Sequence, residues 1–399
     1  VNKPLRRTAL ALLALGCALL AANAALARWF PLPVRMYQLD SELIYRPIPG
    51  ARSVKSAGPE GARHWVTTQI DAQGYRGPDL ANPKSGPRVA VYGDSFAFAE
   101  DVPLAETFVE RLGRALAPQA PPEMVNAGVV GYGPDQACLR MEREFDALQP
   151  DLVVLVLCSA NDFGDLVRNK LFALDSSEKL VPNPVRIAPQ LFEEFEAKAR
   201  AADAPALVRA YRAWRDERAE RARLAAGGPQ PPWIEWYLRQ ARDEYAEYVL
   251  EKDLAVRQVW QDYYDADLAI HPEWESSAYK RRLMRAVLER MRDACARRGT
   301  PFAALIVPSA VDLCPTNEIH VDPARYPTWD PARLTSTLAE ILDELRVPQL
   351  NLYQPFRAGG AENFFIGGGN MHWNAAGQEL AAQKLAALLL ERQLWPPKH

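Results

Sequence analysis

From Arg88 onward the chain alternates short, uninterrupted apolar runs with amphipathic stretches, a pattern that suits a parallel sheet covered on both faces and few other folds. The runs are Val89-Ala90-Val91-Tyr92, Met124-Val125-Asn126, Leu152-Val153-Val154-Leu155-Val156-Leu157, residues 302–307 and Gln349-Leu350-Asn351-Leu352. Between and after them the spacing predicts helices over 105–116, 136–148, 280–298, 331–345 and 375–392. Five strands with crossover helices make a doubly wound α/β domain. The 399 residues have room for one such core with an insertion or for two domains, and the spacing of the motifs below favours one domain, 88–399, with an insertion at about 165–275.

The insertion reads as helical, broken at Gly227-Gly228-Pro229 and Pro231-Pro232. It carries Trp233, Trp236, Tyr237, Tyr245, Tyr248, Trp260, Tyr263 and Tyr264. Aromatics at helical spacing usually pack inward as the core of a small subdomain; the competing reading is a carbohydrate-stacking surface. Residues 28–87, rich in Pro, Gly and Arg, read as an irregular collar wrapping the core, with short strands at Tyr45-Arg46-Pro47 and Gln69-Ile70-Asp71.

Residues 1–27 stand apart. Lys3, Arg6 and Arg7 precede an uncharged stretch, 8–27, long enough to span a bilayer as a helix, and the basic flank predicts a cytoplasmic N-terminus with the rest exported. This reads as a signal anchor placing the rest of the chain in the periplasm. Ala25-Leu26-Ala27 also resembles a cleavage site, which would make the segment a removed signal peptide and the protein secreted. The apolar run continues well past Cys17, which argues against lipidation there. In an oxidising compartment Cys138, Cys158, Cys295 and Cys314 are free to form disulfides in any of three full pairings, although Cys158, ending an apolar run, reads as a buried small residue.

Four segments at strand ends carry chemistry. Gly93-Asp94-Ser95 follows the first strand, where open parallel sheets bind ligands, and a Ser in that turn presents both its Oγ and its N–H to a cleft. Alone, the tripeptide is ordinary turn chemistry. The second strand ends in Asn126-Ala127-Gly128-Val129-Val130-Gly131-Tyr132-Gly133, a turn whose backbone can approach a ligand closely. The third ends in Ser159-Ala160-Asn161-Asp162, where an Asn is as often a helix cap. Near the C-terminus Asn370-Met371-His372-Trp373-Asn374 puts a His before the last helix.

Taken in order, these segments resemble the SGNH (GDSL-like) hydrolase superfamily from about Arg88 to the end, the insertion excluded. The run Gly93 to Val102, the Gly-Tyr-Gly turn and Asn161-Asp162-Phe163 look like a membrane-anchored bacterial branch of it. The resemblance implies a flavodoxin-like five-stranded sheet and a serine esterase that forms an acyl-enzyme. It further implies Ser95 as nucleophile, His372 as base, and Ser95 N–H, Gly131 N–H and the Asn161 amide as the oxyanion hole. Acyl transfer needs those parts: a base to activate a hydroxyl, and preorganised donors for the oxygen that becomes negative.

One position departs from the family, which usually carries an Asp two or three residues before the His. Here those positions hold Asn370 and Gly369. Asn370 can accept the His372 Nδ1 proton but cannot stabilise the imidazolium with a full charge. A dyad oriented by a backbone carbonyl, an acid from elsewhere such as Glu362 or Asp312, and loss of activity are the alternatives.

The expected substrate is an acylated, foremost acetylated, envelope or extracellular glycan or a small ester. An O-acyltransferase for exported polysaccharide is the alternative, because His372-Trp373-Asn374 resembles the His block of alginate-type acetyltransferases. A disarmed glycan-binding or scaffold protein is a third reading. The constellation requires no metal or cofactor, and His64, His271, His320, His372 and His399 show no ligand-pair spacing. Gly367-Gly368-Gly369 lacks the context of a phosphate loop and reads as a flexible approach to His372. A net charge of -3 with mixed signs does not suggest nucleic acid.

Overall fold

The computed structural model describes residues 3–29, 35–57, 64–225, 233–251, 255–260, 263–367 and 370–396. The break predicted at 227–232, Gly368 and Gly369 therefore lie outside the described residues. Helix α1 (Lys3–Trp29) is, among the described residues, the one helix long and apolar enough to cross a membrane. The collar that follows is more ordered than its composition suggests. It forms two antiparallel hairpins, β1 (Tyr37–Asp40) with β2 (Ile44–Pro47) and β3 (Arg52–Ala57) with β4 (His64–Gln69). Their strands carry few aliphatic residues because they lie over the domain rather than inside it. What anchors them is a short apolar turn: Leu43, Ile44 and Tyr45 are fully buried.

The α/β domain opens with β5 (Arg88–Tyr92) and continues through α2 (Ser95–Phe98), α3 (Phe108–Leu116), β6 (Glu123–Asn126), α4 (Pro134–Leu148), β7 (Leu152–Cys158) and α5 (Asp162–Asn169). The insertion then holds β8 (Phe172–Leu174), β9 (Leu180–Pro182), β10 (Arg186–Ile187), α6 (Pro189–Ala202), α7 (Ala206–Ala225), α8 (Trp233–Glu244), β11 (Ala255–Val256) and α9 (Ala266–Ile270). It is mostly helical, as expected, with a small β8–β9 hairpin the sequence did not signal, and it begins after α5 rather than within it. The domain resumes with α10 (Glu275–Ala296), β12 (Phe302–Val307), α11 (Ala310–Leu313), α12 (Arg333–Glu344), β13 (Gln349–Asn351), α13 (Tyr353–Ala358), the hairpin β14 (Phe365–Gly367) and β15 (Asn370–Trp373), and α14 (Ala375–Glu391).

Five parallel strands lie in the order β13-β12-β7-β5-β6, so the chain starts mid-sheet, steps to one edge, then reverses and winds to the other. Every residue of β5, β7 and β12 is buried, which is why these strands read as continuous apolar runs rather than alternating ones. Alternate side chains serve two cores. Val89, Val154 and Leu305 meet α3 and α14 on one face, while Ala90, Val153 and Ala304 meet α4, α10 and α12 on the other. The reversal of winding falls between β5 and β7, and the crevice at the carboxyl ends of those two strands is where doubly wound sheets bind their ligands.

The insertion's aromatics pack as a core. Trp236 meets Tyr263 edge-on at 4.9 Å, Trp260 stacks on Phe195 at 5.0 Å, and Tyr237, Tyr248 and Tyr264 are buried. The described cysteines are all free thiols, with Cys138, Cys158, Cys295 and Cys314 buried, so none of the three disulfide pairings open to the sequence is formed.

Candidate active site

Ser95 is the first residue of α2, directly after β5, and its position depends on Gly93. A Cβ on Gly93 would stand 2.7 Å from the Val156 carbonyl oxygen and 3.1 Å from Ala97 Cβ, and its φ of +150° is one that side chains rarely adopt. Glycine thus lets the turn lie against β7. Asp94 caps α2 by accepting from Phe96 N at 2.9 Å, which leaves the Ser95 N–H, as the first of the helix, without an intrahelical acceptor.

His372 arrives on β15. The neighbouring Trp373 is buried and donates from Nε1 to the Phe96 carbonyl at 3.2 Å, while the imidazole lies against the Phe96 ring at 5.0 Å. These two contacts tie β15 to α2 and bring His372 Nε2 within 2.8 Å of Ser95 Oγ. Asn374 caps α14 by accepting from Ala376 and Gly377 N–H. Trp373 and Asn374 are thus occupied in holding His372 in place.

Asn370 settles the tautomer. Its Oδ1 lies 2.9 Å from the backbone nitrogen of His372, which can only donate, so the amide oxygen must face that way. The same oxygen is 2.9 Å from His372 Nδ1, and two acceptors do not meet at that distance, so Nδ1 carries the proton. Nε2 is left with a lone pair directed at Ser95 Oγ, the arrangement a general base requires.

Asn161 ends up in the same cleft. It is the cap residue of α5, yet its side chain makes no capping bond and instead donates from Nδ2 to Asp165 Oδ2 at 2.6 Å. Asp165 is held by Arg168, which also reaches Glu244 of α8 at 3.2 Å, so the insertion braces this amide. The cleft, about 390 Å³, is bounded by Ser95, Asn161, Asn370 and His372 with the small or apolar Cys158, Ala160, Ala310, Val311 and Met371. A larger cavity of about 670 Å³, lined by Asp151, Arg298 and Pro301, sits at the opposite ends of the strands, away from Ser95.

Four of the five predicted site residues therefore converge. Gly131 is not among the residues bounding the cleft. It occupies a left-handed position (φ +74°) in the turn after β6, where an added Cβ would stand 2.7 Å from the Trp260 ring and 3.0 Å from Tyr45 Oη. Nor do the two acids considered as substitutes reach the base: Glu362 accepts from Thr316 Oγ1 and Asp312 from Tyr264 Oη, both at 2.6 Å.

The carboxylate that does approach is Asp101, which no motif marks. Asp101 Oδ2 is 3.7 Å from His372 Nδ1, and its other oxygen is 2.8 Å from the ammonium of Lys55 on β3, which also binds Glu100 at 2.7 Å. Burial pushes the Asp101 carboxyl up, but Lys55, the imidazole and a hydrogen bond from the Asn370 side chain outweigh it, and the net shift is downward. The acidic pair Glu100-Asp101 just past the serine was the signal available in the sequence.

Asp312 shows the opposite case. Burial lifts its carboxyl to about 8, only partly offset by the hydrogen bond from Tyr264. With the folded pKa above the unfolded one, the folded chain binds this proton more tightly, so stability is greatest below pH ~4 and declines as pH rises toward 8. Asp312→Asn keeps an acceptor for Tyr264 and loses the titration. Its melting temperature is expected to exceed that of the parent at pH 8.5, by on the order of 1–3 kcal/mol of stability, with the gain shrinking as the pH is lowered to 4.

No family model and no curated protein matches the chain. Solved structures similar to it include a lipase/acylhydrolase from Enterococcus faecalis, 14% identical over 78% of this chain and 99% of that one, TM-score 0.36. TesA is 12% identical over 77% and 99%, TM-score 0.38. A catalytic mutant of Axe2, an acetylxylan esterase from Geobacillus stearothermophilus, is 13% identical over 78% and 95%, TM-score 0.36.

Proposed function

We propose that this chain is a serine esterase of SGNH type that removes a small acyl group, acetyl foremost, from a glycan or small ester by way of an acyl-enzyme. The observation that carries the reading is the linear arrangement of Ser95 Oγ, His372 Nε2, His372 Nδ1 and Asn370 Oδ1 at hydrogen-bond distance with the tautomer fixed. In the cycle the Ser95 proton passes to Nε2 as Oγ attacks the ester carbonyl. The carbonyl oxygen becomes an oxyanion facing the Ser95 N–H and the Asn161 amide. The imidazolium returns its proton to the departing alkoxide, and water, activated by the same nitrogen, releases the acid. The small side chains beside Asn161 favour a short acyl group. On this reading α1 anchors the protein in the inner membrane with the domain in the periplasm.

The test is covalent. A fluorophosphonate probe incubated with the full chain in detergent is expected to add once, on the peptide containing Ser95, and not to the Ser95→Ala variant. Equal labelling of the two proteins would remove the esterase reading and leave a glycan-binding or scaffold role in its place.

A further inference from the structure

Resting on that reading, we infer that Asp101, held by Lys55, supplies across a short gap the negative charge that steadies the imidazolium of His372. The geometry separates two tasks that one carboxylate usually performs. Orientation belongs to Asn370, whose Oδ1 takes both the backbone N–H and Nδ1 of His372 at 2.9 Å. Charge belongs to Asp101, whose Oδ2 lies 3.7 Å from the same Nδ1. Because the amide oxygen faces the histidine, the Asn370 NH₂ points away from it, and Asp101 approaches Nδ1 separately.

Asp101 is built to stay ionised and in place. Lys55 Nζ lies 2.8 Å from Oδ1. The segment that carries Asp101 is clamped from the collar by Arg76, whose buried guanidinium donates to the carbonyl oxygens of Phe98, Ala99 and Val102, the last at 2.8 Å. A left-handed Ala99 (φ +58°) turns the chain out of α2 so that Asp101 faces β15. Asp101 takes no proton in the cycle: the proton stays on Nδ1, and the carboxylate opposes the charge that appears when Nε2 accepts from Ser95. It is a positioning residue, acting on His372 across a short gap.

The experiment follows ester turnover and fluorophosphonate labelling in the full chain, comparing the parent with Asp101→Asn, Asn370→Asp and the double variant Asp101→Asn/Asn370→Asp. Asp101→Asn is isosteric, removes the charge and keeps one acceptor oxygen, which can face Lys55. Since Asn370 still holds the tautomer, only the charge is lost, and kcat is expected to fall about 10- to 10²-fold with KM unchanged. The double variant moves the charge one hydrogen bond closer to Nδ1, and it is expected to recover most of that loss, which a merely structural defect at residue 101 would not allow. Asp101→Asn with the parent kcat overturns the assignment. So does a double variant no faster than Asp101→Asn at equal melting temperature. A parent that neither turns over nor labels removes the esterase reading itself and Asp101's role with it, an outcome distinct from an active parent with an indifferent Asp101.

Discussion

Ser95→Ala, His372→Ala and the double variant are expected to lose the same activity, each falling in kcat by roughly 10⁴- to 10⁶-fold, because nucleophile and base act as one unit and removing either disables both. The 2.8 Å contact between Oγ and Nε2 is the basis. Without the imidazole, the Ser95 hydroxyl has no group to take its proton, and without the hydroxyl, Nε2 has nothing to activate but water. Steady-state hydrolysis of p-nitrophenyl acetate by the three variants, with melting curves to confirm folding, checks this. A His372→Ala protein within tenfold of the parent would mean that another group is the base. Losses that multiply in the double variant would mean that the two residues act separately.

The second large effect is expected at Asn161. Its Nδ2 carries two hydrogens, one of which is committed to Asp165 at 2.6 Å, and the other is free to meet an oxyanion above Ser95. Asn161→Ala is expected to lower kcat by about 10²- to 10³-fold with little change in KM, since the donor strengthens only as charge develops on the substrate oxygen. Asn161→Asp should be no better, because a carboxylate there would repel both Asp165 and the oxyanion. A kcat for Asn161→Ala within threefold of the parent would assign the oxyanion to backbone donors alone.

The sheet was legible because its central strands are buried on both faces, so that Leu152 to Leu157 had no polar residue to blur the pattern. Helix ends were off by a few residues where capping, not periodicity, sets them: Thr107 caps α3, so the helix starts at Phe108, behind a short 3₁₀ turn. Ser95, Asn161, Asn370 and His372 were legible because each sits at a strand end or on the last hairpin, within a short recognisable segment. Lys55 and Asp101 were not. Lys55 lies on a hairpin strand, Arg-Ser-Val-Lys-Ser-Ala, with too little apolar alternation to read as a strand at all, and nothing local says which acid it will meet. Asp101 meets His372 only because α2 and β15 are joined by the Trp373 and Phe96 contacts, a pairing that exists in the folded chain alone. Glu362 and Asp312 were nearer His372 in sequence and are farther from it in function, each already bonded to another partner.

Only seven residues separate Trp29, the end of α1, from Tyr37, where the first collar strand begins. Fully stretched, that tether has a contour length of roughly 25–30 Å, less than the thickness of a bilayer with its headgroups. Were α1 seated in a membrane, as proposed, the domain would sweep a thin layer above the surface instead of the whole compartment. Its encounters with an ester would then be a lateral, two-dimensional search, limited to esters displayed at, or delivered to, that surface.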